Sequence, residues 1–355
     1  MKSQNKTLFI THSQIDVIQS RIRLCLYLTK QGFDITIYAP RYNYPNSKLS
    51  IKTYSSNIGF AVSIISWLIF PKYDIYIFRG ILNLPVVLLS ILLRRKTIWY
   101  ITGLGRLFSN KDLYSKKVSR LIKYIITRMQ GCRCFRLILQ NNSDVKTLDI
   151  RDDYVVNGSG CAFKAFKGRK TLSNKRINIL YVGRLMAEKG LDDLIRLAFI
   201  IKDIPKFNLT VIGEYDQRDH KIYGHLIQRL NGFNNIAFVG RKKVTCTDYE
   251  DQHFAFFPSK YGEGVPRFLI ESSSQGLVVC TSDAPGCRQF VSKAGSISYL
   301  NPKSFLDEIL RIEREGLFEQ LSARHVSFFS RYLKDSIVFS QFNDHISKFD
   351  EVSNR

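Results

Sequence analysis

Short β-rich apolar runs alternate with longer stretches of helical period along nearly the whole chain. The runs that read as strands are Thr7–Thr11, Asp34–Ala39, Ile51–Tyr54, Tyr73–Phe78, Thr97–Thr102, Phe135–Gln140 and Tyr154–Val156, with helices such as Val17–Gln31 and Asp112–Gln130 between them. This alternation predicts a parallel sheet covered on both faces. Turn-forming Asn157-Gly158-Ser159-Gly160 and the basic, apolar-poor stretch Lys164–Lys170 interrupt the pattern and mark a linker. The alternation then restarts with Ile177–Val182, a helix over Glu188–Lys202, Leu209–Ile212, a helix near His220–Leu230, Ile236–Val239, Ala255–Pro258, a helix from about Pro266, and Val278–Thr281. The predicted fold is α/β: two doubly wound Rossmann-like domains facing a central cleft, residues 1–163 and 164–330. A helical tail at 331–355 follows, and its return to the first domain is one reading. Ligands of such sheets bind beyond the carboxyl ends of the strands, so the strand-to-helix junctions are where chemistry is expected.

Composition narrows the class. With 355 residues, 45% hydrophobic and 23% charged, the chain can fill two cores, which excludes a disordered or fibrous protein. The net charge of +23 is unevenly spread: residues 1–170 hold 28 Lys and Arg against 8 Asp and no Glu, and residues 171–355 hold 25 against 22. A cationic first half suits a protein with one face toward an anionic surface. The basic segments lack interleaved stacking motifs, and no helix-turn-helix or RNA-binding signature appears, so nucleic acid is not an expected partner. The seven cysteines (25, 132, 134, 161, 246, 280 and 287) form no C-x-x-C and read as reduced thiols of a cytosolic protein. The polar Met1–Lys6 runs straight into a strand and shows no signal peptide. Two apolar runs, Ile58–Phe70 and Ile81–Leu93, fall short of the roughly 20 residues that span a bilayer. They read as buried helices or as interfacial segments, the second followed at once by Arg94, Arg95 and Lys96.

Two junctions in the second half concentrate the candidate chemistry. The first is Gly183-Arg184-Leu185-Met186-Ala187-Glu188-Lys189-Gly190, where two cations flank a strand end and a helix start, a pairing suited to a diphosphate. The second runs from Pro258-Ser259 through Glu263-Gly264-Val265-Pro266-Arg267 to Glu271. It sets a glycine-bracketed carboxylate ahead of a helix whose first amides, at Gly264–Arg267, suit an anion. Taken singly, Glu263 also reads as a helix cap and Glu271 as a solvated helix residue.

Together these segments carry a resemblance. Gly183-Arg184-x4-Lys189-Gly190, Pro258-Ser259-x3-Glu263-Gly264-x-Pro266-Arg267-x3-Glu271 and Asp283-Ala284-Pro285-Gly286-Cys287-Arg288 occur in order. They resemble the retaining glycosyltransferases of family 4, which have the GT-B fold, and most of all the branch that builds bacterial capsule and O-antigen. Ile101-Thr102-Gly103-Leu104-Gly105 and Asn157-Gly158-Ser159-Gly160 are similar to that branch's first-domain segments. The chain departs from the pattern at His12-Ser13-Gln14-Ile15-Asp16, where many relatives have a Gly-Gly loop. It departs again at Phe78-Arg79-Gly80, where many have a histidine, and at Arg106, where an aromatic is frequent.

The resemblance implies roles. Arg184 and Lys189 would neutralise the donor diphosphate, Glu271 would accept from the ribose hydroxyls, and Glu263 would contact the transferred sugar. Gly183, Gly264, Val265 and Pro266 would line the donor, with Glu214 at a neighbouring strand end and Arg241–Val244 near the base. His12, Asp16, Gly103 and Gly105 are the acceptor-side candidates. The implied activity is metal-independent hexosyl or N-acetylhexosaminyl transfer with retained anomeric configuration; no D-x-D motif occurs and no cofactor is expected. The donor would be a uridine diphosphate sugar, with guanosine diphosphate next. The acceptor would be a saccharide on a polyprenyl diphosphate at the inner face of the cytoplasmic membrane. Between Arg106 and Arg136 the basic residues flank a helical stripe at 118, 121, 122, 125, 126 and 129, which reads as core with an anionic-membrane-facing border. The alternative is a catalytically idle relative that binds nucleotide or lipid as a scaffold. A dinucleotide-dependent oxidoreductase is disfavoured, because Phe108 stands where Gly103-x-Gly105 would need its third glycine.

Overall fold

The computed structural model describes residues 5–14, 17–44, 48–109, 112–151, 155–168, 170–172, 176–215 and 217–353. The chain forms two compact units, one of Met1–Gly160 with Asp335–Arg355 and one of Cys161–Lys334. Each is built on a six-stranded sheet paired in parallel throughout.

In the first unit the strands are β1 (Lys6–Ile10), β2 (Asp34–Pro40), β3 (Ser50–Tyr54), β4 (Ile75–Arg79), β5 (Lys96–Ile101) and β6 (Phe135–Leu139), in the order β3-β2-β1-β4-β5-β6. Central strands of a covered sheet are apolar on both faces; Ile75, Tyr76, Ile77 and Phe78 of β4 are all buried. One face packs against α2 (Asn57–Ile69), α3 (Leu84–Leu92) and α4 (Leu113–Met129), through Phe60, Ile64, Leu68, Val87, Ile122 and Ile126. The other packs against α1 (Ile22–Lys30) and α11 (Asp335–Ser353), through Leu24, Cys25, Leu28, Val338, Phe339 and Phe342. Arg23 on α1 donates to Asp335 at 2.8 Å, and Lys96 pairs with Asp350 at 2.7 Å, fastening α11 at both ends.

Three sequence expectations change here. Tyr154–Val156 is not a ladder strand: Val155 makes one isolated bridge to Leu139, and Tyr154 lies outside the described residues. The expected stripe on α4 divides, with Ile122, Ile126 and Met129 buried and Leu121 exposed. The charge split is also milder. The acids of α11 belong to the first unit, which holds 26 Lys and Arg against 12 Asp and Glu, leaving the second with 27 against 18.

In the second unit β7 (Ile177–Val182), β8 (Phe207–Ile212), β9 (Ile236–Gly240), β10 (Phe254–Phe257), β11 (Val278–Thr281) and β12 (Ile297–Ser298) run in the order β12-β11-β10-β7-β8-β9. Helices α6 (Leu191–Ile201), α7 (Gln217–Leu230), α8 (Arg267–Ser274), α9 (Pro302–Arg314) and α10 (Phe318–Phe328) complete it; α5 (Asn142–Leu148) belongs to the first unit. The helix expected from Glu188 starts at Leu191 instead. Ala187–Lys189 form a single 3-10 turn, and Gly190, at φ 79°, separates it from the helix proper. The stretch read as a linker is not loose beyond Gly160. Phe163, Ala165 and Leu172 pack on the second core, and the Phe166 amide donates to the Ser274 carbonyl at 2.8 Å. Buried Lys170 donates to the Tyr249 carbonyl at 2.6 Å, and burial lowers its pKa to about 8.

Candidate active site

Both sheets reverse strand order at one place, β1/β4 in the first unit and β7/β10 in the second. Such switch points open a crevice beyond the carboxyl ends of the strands. The second-unit motifs lie at that place. The loop after β7 holds Arg184 and Lys189, and the loop after β10 holds Glu263. The two loops are tied together, the Lys260 amide donating to the Glu188 carbonyl at 2.9 Å. Lys189 Nζ lies 3.0 Å from Glu263 Oε1, each side chain 17% exposed, and 5.6 Å from the centre of the Phe257 ring. Arg184, in contrast, is exposed.

The 283–288 segment closes this arrangement from the end of β11. Gly286 sits at φ 80°, and a Cβ there would stand 1.5 Å from the Gly264 carbonyl oxygen, so this contact requires glycine. Arg288 forks onto Asp283 at 2.6 and 3.0 Å. Cys287 is buried within electrostatic reach of Glu263 and Lys189; burial, its hydrogen bond to Thr281 notwithstanding, pushes its thiol up to about 12.

Glu271 is buried on α8, and both its oxygens are engaged. Tyr249 donates to Oε2 at 2.8 Å and Arg267, one helical turn earlier, to Oε1 at 2.5 Å. Burial first, and the Glu271 charge second, hold the Tyr249 hydroxyl far above its ordinary pKa, so it stays a proton donor. A carboxylate offers about four acceptor positions, so two donors leave room for more. Tyr249 sits at the end of the 3-10 turn Cys246–Tyr249, which Thr245 and Asp248 cap reciprocally. Val265 and Pro266 are buried just before α8, and the first-turn amides of any helix lack acceptors within it.

The ends of β7, β8 and β9 are laced through backbone. Gly183 donates to Ile212, Gly213 to Gly240 and Leu185 to Glu214, at 3.0, 2.9 and 2.8 Å. The close approach here belongs to Gly213, whose absent Cβ would fall 1.8 Å from the Gly183 carbonyl oxygen; a Cβ on Gly183 itself would meet only the Tyr181 side chain. Arg241 pairs with Glu214 at 3.2 Å, both largely exposed, and Val244 is half-buried against the core.

In the first unit His12 follows β1 at the switch point. Its Nδ1 lies 2.8 Å from the Tyr54 hydroxyl and its Nε2 2.9 Å from Asn83 Oδ1, with the Phe60 ring 4.7 Å away. Asn83 in turn donates to the Arg79 carbonyl at 2.7 Å, tying the ends of β1, β3 and β4. Asp16 lies outside the described residues. Gly103 and Gly105 flank buried Leu104 after β5, at φ 134° and 66°. The Leu104 amide and Asn141 both bond to Asp144, but burial outweighs them and raises that carboxyl to about 7. Sequence reasoning missed Tyr249 and Asp144, and gave Cys287 no role beyond its place in the 283–288 segment. Only the four-residue spacing of Arg267 and Glu271 was a readable signal. A cavity of about 520 Å³ in the second unit, with Arg311 and Arg324 in its wall, is lined by residues between 295 and 324 and by none of these loops.

Comparison with known proteins fits this geometry. Residues 163–324 match the family described as glycosyl transferases group 1. The whole fold is that of GT-B glycosyltransferase structures. It superposes on the Anabaena protein HepE in complex with UDP and glucose with a TM-score of 0.74 at 13% identity, over 97% of this chain and 100% of that one. Sucrose-phosphate synthase from Thermosynechococcus elongatus gives 0.73 at 13% identity, over 98% and 100%. WaaG, a glycosyltransferase involved in lipopolysaccharide biosynthesis, gives 0.64 at 14%, over 97% and 99%. By sequence, no curated protein is matched.

Proposed function

We propose that the chain is a retaining, metal-independent glycosyltransferase of family 4 that moves a hexosyl or N-acetylhexosaminyl group from a UDP-sugar to a lipid-linked saccharide, in the synthesis of a bacterial surface polysaccharide. The observation that carries this reading is the Lys189–Glu263 pair at the β7/β10 switch point, with the buried carboxylate of Glu271 on the helix that follows the same loop. UDP and UDP-glucose in the complexes of HepE support the choice of donor.

In this reading Glu271, oriented by Tyr249 and Arg267, accepts from the ribose hydroxyls. Arg184 and Lys189 meet the diphosphate, and Lys189 does so while held by Glu263. As the bond from the anomeric carbon to the β-phosphate oxygen breaks, negative charge collects on that phosphate. Cations and helix-start amides fixed in place stabilise it without reorganising. The acceptor hydroxyl forms the new bond on the same face and gives its proton to the departing phosphate oxygen, releasing UDP. Glu263 contacts the sugar hydroxyls, and His12, at the first-unit switch point, is the acceptor-side contact.

Calorimetric titration with UDP, UDP-sugars and GDP, with and without EDTA, tests the proposal. EDTA-resistant binding of a uridine nucleotide, followed by release of UDP in the presence of lipid-linked saccharide, is the expected result. Binding with no turnover would identify an idle relative, and absence of binding would remove the donor reading.

A further inference from the structure

The helices α2, α3 and α4 all pack on one face of the first sheet, and their opposite sides do not look like an ordinary surface. Helix α2 has no charged residue, NIGFAVSIISWLI. Its inward stripe is Phe60, Ile64 and Leu68; its outward stripe is Ile58, Val62, Ile65 and Ile69, at the same helical spacing and exposed. Helix α3, LPVVLLSIL, is equally uncharged. It presents Leu88 and Leu92, with Leu82 in the turn before it. Ile58, Leu82 and Leu92 are 79–82% exposed. A helix on a water-facing surface normally carries polar residues there, and contiguous exposed apolar patches mark interaction sites.

The chain around this patch is cationic: residues 57–133 hold thirteen Lys and Arg against two acids, Asp74 and Asp112, and neither acid lies within the three helices, although Lys96 is turned to Asp350 of α11. Arg95 donates to the Leu68 and Ile69 carbonyls at 2.7 and 3.2 Å, so the basic end of α3 closes the end of α2. Lys116, Lys117 and Arg120 are exposed on α4 next to exposed Leu121 and Tyr124. Lys52 crowds Lys72 and lowers its pKa.

We infer that the outer side of α2, α3 and α4 is a membrane-insertion face, on which Ile58, Val62, Ile69, Leu82 and Leu92 enter the acyl boundary of an anionic bilayer while the surrounding cations take its headgroups. An uncharged apolar centre with a basic rim fits a lipid interface, where a helix lies in the plane and buries one side. No helix among the described residues is long and apolar enough to cross a membrane, which limits the contact to this depth. A second copy of the chain is a poor occupant, since it would oppose two strongly cationic surroundings across helices that contain no acid. The sequence pattern offers the basic border of α4 and reads the two apolar runs as buried helices or interfacial segments; the structure shows which of their residues face outward. Insertion predicts in addition a component of binding that salt does not screen. The inference does not depend on the donor chemistry.

The test uses the full chain with vesicles of phosphatidylcholine alone or mixed with phosphatidylglycerol, at low and high salt. The parent protein is expected to co-sediment with the anionic vesicles and to keep part of that binding at high salt. Ile58→Ser/Val62→Ser/Leu92→Ser should lose at least tenfold in partitioning, and what remains should vanish at high salt. Lys116→Ser/Lys117→Ser/Arg120→Ser should lose the preference for anionic lipid. A tryptophan placed by Ile58→Trp should shift its emission to the blue on anionic vesicles. Unchanged UDP binding in calorimetry verifies that each variant is folded; loss of UDP binding by the parent would count against the donor reading and leave this one untouched. No binding of the parent to anionic vesicles, parent-like binding by the apolar variant, or a dimer of the parent abolished by the same three substitutions would each overturn the inference.

Discussion

Removing one oxygen atom from the second unit tests how its buried carboxylate is held. Tyr249→Phe keeps the ring, which packs against Phe163 and Phe268 at 5.6 and 6.4 Å between centres, and deletes the hydroxyl that donates to Glu271. A hydrogen bond to a charged group contributes about 1.5–3 kcal/mol. Glu271 is 5% exposed, so water replaces the lost donor poorly, while Arg267 still holds the other oxygen. A loss of about 2 kcal/mol follows, and at about 2–4 °C per kcal/mol for a domain of this size Tm falls by about 4–8 °C. On the proposed reading the freed carboxylate also loses its fixed orientation toward the ribose hydroxyls. A penalty near 1.4 kcal/mol weakens UDP binding about tenfold. UDP stabilises each protein by RT ln(1 + [UDP]/Kd), so saturating UDP should widen the Tm gap between variant and parent by the equivalent of about 1.4 kcal/mol. Thermal unfolding with and without UDP, together with calorimetric Kd, reads all three effects. A variant with the Tm and the UDP affinity of the parent would refute the claim that this hydroxyl orients Glu271.

Three further outcomes follow from the same geometry. On the proposed reading Lys189→Met removes a cation from the diphosphate and one partner of Glu263, so UDP release from the donor should slow on the order of 10²-fold; turnover at the parental rate would exclude Lys189 from charge stabilisation. Gly286→Ala drives a Cβ into the Gly264 carbonyl and should abolish UDP binding in calorimetry while the first unit stays folded by circular dichroism. His325 is buried, bonded through Nδ1 to the Leu321 carbonyl and through Nε2 to Ser296, and burial lowers its pKa to about 4. The unfolded chain takes up this proton below about 6.5 and the folded one only near 4, so stability is full above 6.5 and lost as pH falls toward 4, by at most about 3 kcal/mol. The slope of Tm against pH over that window should flatten in His325→Gln; an unchanged slope would assign the acid limb to other groups.

How far the sequence foretold this structure differs from element to element, for physical reasons. Strands such as Ile177–Val182 and Val278–Thr281 are read to the residue, because a strand buried on both faces is a continuous apolar run. Ile297–Ser298 was missed, since a two-residue edge strand carries no periodicity. The motif loops were legible because glycine, proline and charge fix them locally, and the topology then sets them at one switch point. The support of Glu271 was not legible: Tyr249 reaches it from 22 residues away through the second core, and no spacing rule links them. The two apolar runs were half legible. Their helices were expected, but periodicity marks one buried side, and residues that are apolar all round do not say which side faces inward.

The charge asymmetry seen along the chain acquires a direction from α11. That helix brings Asp335 and Asp350 to Arg23 and Lys96, and it packs on the sheet face opposite α2, α3 and α4. Four of the twelve acids of the first unit thus lie on α11, on one side of its sheet, while α2, α3 and α4 on the other side contain none. The second unit pairs many of its cations within itself, as in Lys206–Glu313, Arg288–Asp283 and Arg311–Glu308. Net charge by itself would give a molecule attracted to any polyanion in any orientation. A field that is positive across one face and compensated behind it instead orients the first unit as it approaches an anionic surface, over about a Debye length. The uncharged outward stripe of α2 lies on that leading face, so on this inference electrostatic approach by the cations and insertion of the apolar stripe act on one face in sequence, and salt should slow the first while sparing the second.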